Sequence, residues 1–175
     1  KDAVVTKGKV EFRNVSFRYY KNNDNWVLDK LNFTAKPGEV IGIIGSTGCG
    51  KTTLVSMIPR LYDVDEGEVL IDGVPVKELD LEYLRHKISY VMQKSELFSG
   101  SVSDNIRWGK DGATPEEIRE AAGIAQAEEF INGFSGGYDG YIAEKGASLS
   151  GGQKQRMSIA RALVRKPEIL ILDDS

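Results

Sequence analysis

The stretch that decides the fold is residues 39–53, Glu39-Val-Ile-Gly-Ile-Ile-Gly45-Ser-Thr-Gly-Cys-Gly50-Lys-Thr-Thr53. Val40, Ile41, Ile43 and Ile44 make a short, β-branched apolar run, the composition expected of a strand buried on both faces. The run feeds Gly45-x-x-x-x-Gly50-Lys51-Thr52, after which Leu54, Val55, Met57 and Ile58 read as a helix. Strand, glycine-rich loop and helix in that order form a cradle for phosphate. Gly45, Gly48 and Gly50 permit the tight turn that aims successive N–H groups at an anion, and Ser46, Thr47, Cys49 and Thr53 complete the cradle. The helix N-terminus behind it contributes orphan donors and the positive end of its dipole. Lys51 is placed to reach the outer phosphates, and the Thr52 hydroxyl to help hold Mg²⁺.

A chain of 175 residues is one domain or most of one, long enough for a real core. Its 41% hydrophobic and 28% charged residues are those of an ordinary globular protein. A net charge of −3 shows no basic excess, which argues against nucleic acid as the main partner. A single cysteine, Cys49, excludes an internal disulfide and fits a reducing compartment. Cys49 itself reads as a small residue tolerated in the loop. No apolar run approaches the roughly 18–20 residues needed to span a bilayer, and no signal peptide opens the chain.

Working outward from the loop, residues 10–17 read as an edge strand with a bulge, and residues 27–35 alternate as a second strand. Lys36-Pro-Gly-Glu39 turns the chain back toward the loop. Downstream, Pro59 ends or kinks the helix, and residues 67–73 form a strand entering an Asp72-Gly73 turn. Asp80 caps a short helix over 81–86, and residues 88–92 form another strand. Thr114-Pro-Glu-Glu117 is a capping box that opens a helix with Ile118, Ala121, Ala122 and Ala125 on one face. A shorter helix fits 127–134, so residues 102–145 read as a helical insertion in an α/β chain. Leu149-Ser-Gly-Gly-Gln153 then precedes a helix with Met157, Ala160, Leu163 and Val164 apolar, stopped by Pro167. Residues 168–172 are a second strand of buried type, ending at Asp173-Asp174.

A carboxylate at the end of the Ile169-Leu-Ile-Leu172 strand is what a phosphate loop needs beside its Mg²⁺, and Asp173 supplies it. Ser150, Gly151 and Gly152 at a helix start make a second anion cradle. One nucleotide does not need two such cradles from one chain, so the second serves a nucleotide held by another subunit.

At Leu149-Ser-Gly-Gly-Gln153, continued by Lys154-Gln-Arg156, the chain resembles the nucleotide-binding domain of ATP-binding cassette (ABC) transporters. The resemblance covers nearly the whole chain. It implies ATP and Mg²⁺ as cofactors and an α/β P-loop core with a parallel sheet, an antiparallel β subdomain and an inserted helical subdomain. The implied boundaries are 1–38 for the β subdomain, 39–94 with 151–175 for the core, and 95–150 for the helical part. It implies Tyr19 as the aromatic that stacks on adenine, through its π face. Gln93 is implied as a ligand to Mg²⁺ and water, and Leu149, Ser150, Gly151, Gly152 and Gln153 as the signature that binds the partner's ATP. Residues 97–106 and Glu144-Lys-Gly146 resemble the exporter subclass, in which the latter stretch contacts the coupling helices of a transmembrane domain. The expected setting is the cytoplasmic face of a membrane, with a second nucleotide-binding domain and a transmembrane domain as partners and no nucleic acid.

Two departures qualify the resemblance. The family's catalytic residue after Asp173 is Glu, whereas here it is Asp174, one methylene shorter. Phosphoryl transfer is governed by positioning, so Asp174 implies a weak site of its own and a heterodimeric partner with the competent one. An Asp174 that acts as the base of a slow homodimer is the alternative. The family's segments beyond Walker B, including a switch histidine, are also not present, and the chain reads as truncated there. His86, the only histidine, reads as a solvated residue. Trp26 and Trp108 read as packing residues, and residues 63–66 as a solvated acidic turn. Two other functions compete: a nucleotide-gated clamp with little hydrolysis, and a soluble ABC protein without a transport role.

Overall fold

A computed structural model describes residues 5–22, 24–92 and 96–173. The chain divides into two compact units, residues 1–88 and 89–175.

In the first unit, β1 (Val10–Phe17), β2 (Leu28–Ala35), β3 (Glu66–Ile71) and β4 (Val74–Pro75) form an antiparallel sheet in the order β2-β1-β3-β4. β1 is therefore a central strand and not the edge strand expected. The strand that covers its second side lies some fifty residues downstream, and no local pattern reports so distant a pairing. The expected bulge is present, as register shifts between Phe12 and Val15 and again before Phe17. Phe12, Val15, Val69 and Ile71 bury the inner face, with Phe12 stacked on Phe33 at 4.5 Å. Asp72 and Gly73 both have positive φ (51° and 80°), the type I′ geometry that closes the β3–β4 hairpin.

Asp72 has a second task that the sequence did not reveal. Its Oδ2 accepts N–H bonds from Thr6, Lys7 and Gly8 at 2.9–3.1 Å, and its Oδ1 accepts from Lys9 at 2.9 Å. This straps residues 6–9 to the hairpin. Burial pushes the carboxyl pKa up, but the four donors outweigh it and hold it below the usual value.

The run expected as a buried strand at residues 40–44 is not one. No described strand pairs with it, and Val40 and Ile44 are 95% and 98% exposed. An apolar run is buried only where neighbours flank it and layers cover both faces, and unit 1 supplies neither here. α1 (Lys51–Ser56) follows the loop, and α2 (Leu81–His86) is capped by Asp80, which accepts from Tyr83 N at 2.8 Å.

The second unit contains β5 (Ile88–Val91) paired with β8 (Ile169–Leu172), and a small antiparallel ladder of β6 (Gly100–Ser101) with β7 (Tyr141–Ile142). Its helices are α3 (Val102–Arg107), α4 (Pro115–Ile124), α5 (Glu128–Gly133) and α6 (Gly151–Leu163). The capping box at Thr114 forms as expected, with Thr114 Oγ1 accepting from Glu117 N and Glu117 Oε2 from Thr114 N. One apolar cluster, including Val102, Ile106, Ile118, Ala122, Ile131, Met157 and Ala160, joins these helices. β8 is not buried on both faces as expected: Ile169 and Ile171 are buried while Leu170 and Leu172 are exposed. Among the described residues no helix is long and apolar enough to cross a membrane.

Candidate functional site

In the phosphate loop, Cys49 N donates to Ser46 O at 3.2 Å and Leu54 N to Gly50 O at 2.8 Å, so a turn runs directly into α1. Gly48 and Gly50 have φ of 81° and 100°, a region that side-chain-bearing residues rarely adopt. A Cβ on Gly50 would also meet Val27 at 3.2 Å, and one on Gly45 would fall 2.4 Å from Cys49 Sγ. Gly48 and Gly50 are thus demanded by the chain's own conformation, while Gly45 leaves room for the Cys49 side chain. Lys51 Nζ donates to the carbonyls of Gly45 (2.7 Å) and Ser46 (3.1 Å), which holds the ammonium over the loop it is expected to serve. Thr47 and Thr52 are exposed, whereas Thr53 is buried.

Tyr19, thirty-four residues before Thr53, is brought to the same place. The two hydroxyls share a hydrogen bond at 2.7 Å. The Tyr19 ring meets Phe17 and Tyr62 edge-on at 5.0 and 5.4 Å. Tyr19 is half exposed, so an aromatic surface stands beside the phosphate loop, with Tyr62 a member that sequence reasoning missed. Trp26 lies apart from this cluster, under the guanidinium of Arg18 at 4.5 Å.

The signature segment is built differently. Ser150 is the N-cap of α6; its Oγ accepts from Gln153 N at 3.2 Å and Gln153 Oε1 accepts from Ser150 N at 2.9 Å. This is a capping box, a feature of the Ser-x-x-Gln spacing. Gly151 and Gly152 occupy the first two helical positions, where a helix leaves N–H groups without intrahelical acceptors. Neither has positive φ, and a Cβ on either would meet nothing within 4 Å. Their own chain does not require them to be glycine.

Asp173 follows β8 as expected. Its Oδ2 accepts from the Tyr90 hydroxyl at 2.9 Å, and its N–H donates to Val91 O at 2.9 Å, so the carboxylate is oriented from β5. Gln93 and Asp174 lie outside the described residues. The described residues hold no group of three His, Cys, Asp or Glu side chains arranged for a metal. The acidic turn is not simply solvated: Asp65 accepts from Arg18 N and from Lys21 Nζ, and the Lys21 contact leads in holding its carboxyl below the usual range. His86 is exposed, as expected.

Unit 2 also carries a groove of about 630 Å³, lined among others by Tyr90, Met92, Phe98, Trp108, Arg161 and Arg165. Trp108, expected as a packing residue, is 69% exposed on its wall, with its ring 4.7 Å from that of Phe98. No periodicity marks an aromatic that faces outward, which is why the groove was not foreseen.

A glycine-rich phosphate loop with a neighbouring aromatic platform, on a chain that also carries a capped second cradle, defines a nucleotide-binding α/β domain. The protein-family comparison gives that class its name: the model described as ABC transporter matches residues 28–175, and the chain belongs to that family. It is 52% identical over 168 residues to the uncharacterized ABC transporter ATP-binding protein YfiB of Bacillus subtilis, covering 96% of this chain and 29% of that protein. It is 43% identical over 169 residues to multidrug resistance protein pgp-1 of Caenorhabditis elegans, covering 97% of this chain and 13% of that one. A solved structure of a bacterial Atm1-family ABC exporter with ATP bound matches with a TM-score of 0.89 at 40% identity, over 98% of this chain and 30% of the other. The chain thus spans less than a third of each of these relatives.

Proposed function

We propose that this chain is the ATP-binding and ATP-hydrolysing part of an ABC exporter, working as one half of a head-to-tail pair of such domains. The observation that carries the reading is the contrast between its two sets of glycines. Gly48 and Gly50 answer to their own backbone and Gly45 to the Cys49 side chain, whereas Gly151 and Gly152 keep open space in front of a helix start that no described residue fills. Such a surface is suited to an anion brought by another molecule, the triphosphate held on a partner's phosphate loop.

In this reading Lys51 and the N–H groups around Gly45–Gly50 grip the triphosphate, and Tyr19 stacks on the base. Ser150, already accepting from Gln153 N, has its hydroxyl proton left to donate to the partner's γ-phosphate. Thr52 supplies a hydroxyl and Asp173 a carboxylate, the hard oxygen donors that Mg²⁺ takes, with Gln93 a third candidate. The ion would offset phosphate charge as phosphoryl transfer proceeds. Asp174, shorter than the usual Glu, would orient water poorly, so this chain's loop would be the weaker of two sites in a heterodimer. Its signature would complete the stronger one.

The Phe98–Trp108 groove is suited to a helix of the membrane-spanning remainder of a longer protein. Two things support this: the relatives are at least three times as long as the match, and Gln93, whose counterpart in the resembled family reports to the transmembrane partner, falls in the sequence between groove residues Met92 and Glu96. Glu144-Lys-Gly146 would serve the same partner.

The test is site-resolved trapping of a photoreactive ATP analogue in the full-length assembly. Ser150→Ala should reduce trapping at the partner's loop and leave this chain's own loop labelled. Equal loss at both, or none at either, overturns the head-to-tail arrangement. Asp174→Glu should raise turnover by at least about tenfold if this site limits the assembly; an unchanged rate would mean that the carboxylate length is not the defect.

A further inference from the structure

Helix α6 begins at the signature, and Arg161 lies ten residues on from Gly151, in its last turn. At about 1.5 Å per residue, roughly 15 Å of rigid helix separates the two. Arg161 turns its guanidinium away from the helix and onto the loop that builds the groove. Its Nε donates to Asn105 O at 2.8 Å, one terminal nitrogen to Glu96 O at 3.0 Å, and the other to Asn105 Oδ1 at 3.1 Å. The same guanidinium lies 5.0 Å from the ring centre of Phe98.

Asn105 extends the hold. It is buried, its Oδ1 also accepts from Phe98 N, and its Nδ2 donates to Phe98 O and Ser101 O, at 2.9–3.0 Å. Both backbone groups of Phe98 are therefore fixed through a side chain that Arg161 fixes in turn. Gly109 too is pressed against the helix: a Cβ there would fall 1.9 Å from Arg161 O. Trp108 is the residue before it, so the paired rings of Phe98 and Trp108 are both registered to one turn of α6.

A half-buried cation held by neutral acceptors is an expensive way to secure a loop. Burial pulls the Arg161 pKa down, and its three acceptors among the described residues are carbonyl oxygens. An apolar side chain would pack that space at lower cost, whereas only a planar fork meets three acceptors in fixed directions.

We infer that Arg161 is a positioning residue that makes α6 a single lever, joining the nucleotide-facing Ser150–Gln153 end to the Phe98–Trp108 wall of the groove. This rests on the reading of the signature and groove given above. Any shift of α6 when its N-terminus engages a triphosphate is passed to the aromatic wall without slack, because the joint has no free rotor.

The test is hydrogen–deuterium exchange on the full-length protein in lipid nanodiscs, with and without MgATP, following peptides over 149–157 and 96–109. In the unmodified protein nucleotide should slow exchange in the first peptide and change it in the second. Arg161→Lys keeps the charge but cannot hold three directions; it should retain the first response and lose about nine-tenths of the second, a coupling loss on the order of tenfold. Asn105→Ala cuts the joint from the loop side and should give the same split, so it carries the test if Arg161→Lys does not fold. If exchange over 96–109 rises equally with and without nucleotide, while its nucleotide response survives, Arg161 merely braces the loop and the inference is overturned. If nucleotide fails to protect 149–157 even in the unmodified protein, the functional reading itself falls, and the lever with it.

Discussion

The phosphate loop and the signature turn both bring glycines to a helix start, yet they are held by opposite means. The loop is shaped by backbone: positive φ at Gly48 and Gly50, close approach at Gly45 and Gly50, and a lysine folded over its carbonyls. The signature is shaped by side chains, Ser150 and Gln153 closing a capping box around residues whose φ is ordinary. A glycine that its own chain demands says little about a ligand. One that its own chain could replace points outward, to something that must come close.

The largest test of that contrast is Lys51→Ala. It removes the only ammonium in the loop and should weaken MgATP binding on the order of a hundredfold or more, as truncation of a desolvated charge partner does, measured by calorimetry. Binding at unchanged affinity would break the assignment of the loop. Gly50→Ala forces a side chain to φ 100° beside Val27, and should destabilise the fold by about 1–2 kcal/mol in a denaturant titration. Ser150→Ala removes the cap of α6 and should cost about 1 kcal/mol. Gly151→Ala should be the smallest in stability, neutral or favourable by up to about 1 kcal/mol, because alanine suits a helix better and meets open space. It should nevertheless impair turnover in the assembled protein. If Gly151→Ala destabilised the fold as much as Gly50→Ala, the contrast would be gone.

Acid sharpens the same comparison. The Asp72 strap in the first unit depends on a carboxylate whose folded pKa lies below the ordinary value of an aspartate. Its contribution is complete above that pH and drains away as pH falls through the lower, folded value. Asp72→Asn should therefore flatten the acid limb of a stability–pH curve. The signature cap uses only a hydroxyl and an amide, so Ser150→Ala should shift that curve without changing its shape.

The features legible in advance were those whose partners lie within a few residues. The Thr114 capping box, the Asp80 cap, the Asp72-Gly73 turn and the glycine loop each depend on residues no more than six positions apart, and each forms where expected. The capping box at Ser150 is equally local, but its serine and glycines carry an anion-site pattern at the same positions, and the two patterns are alike in sequence. Signals failed where the decision was made at a distance. Burial of residues 40–44 depends on neighbours that the apolar run cannot name, and the outward turn of Trp108 leaves no period to detect.

The amino-acid sequence by itself determined the family, the phosphate-gripping chemistry and the helix starts, because each depends on backbone freedom and hydrogen-bonding groups a turn apart. Tertiary structure alone decided that β1 is central, that Tyr19 meets Thr53, and that Arg161 reaches Asn105 across fifty-six positions. These contacts exist only after the chain has given up its conformational entropy to bring distant segments together. Which segments meet is settled by the packing of the whole unit and by no single stretch within it.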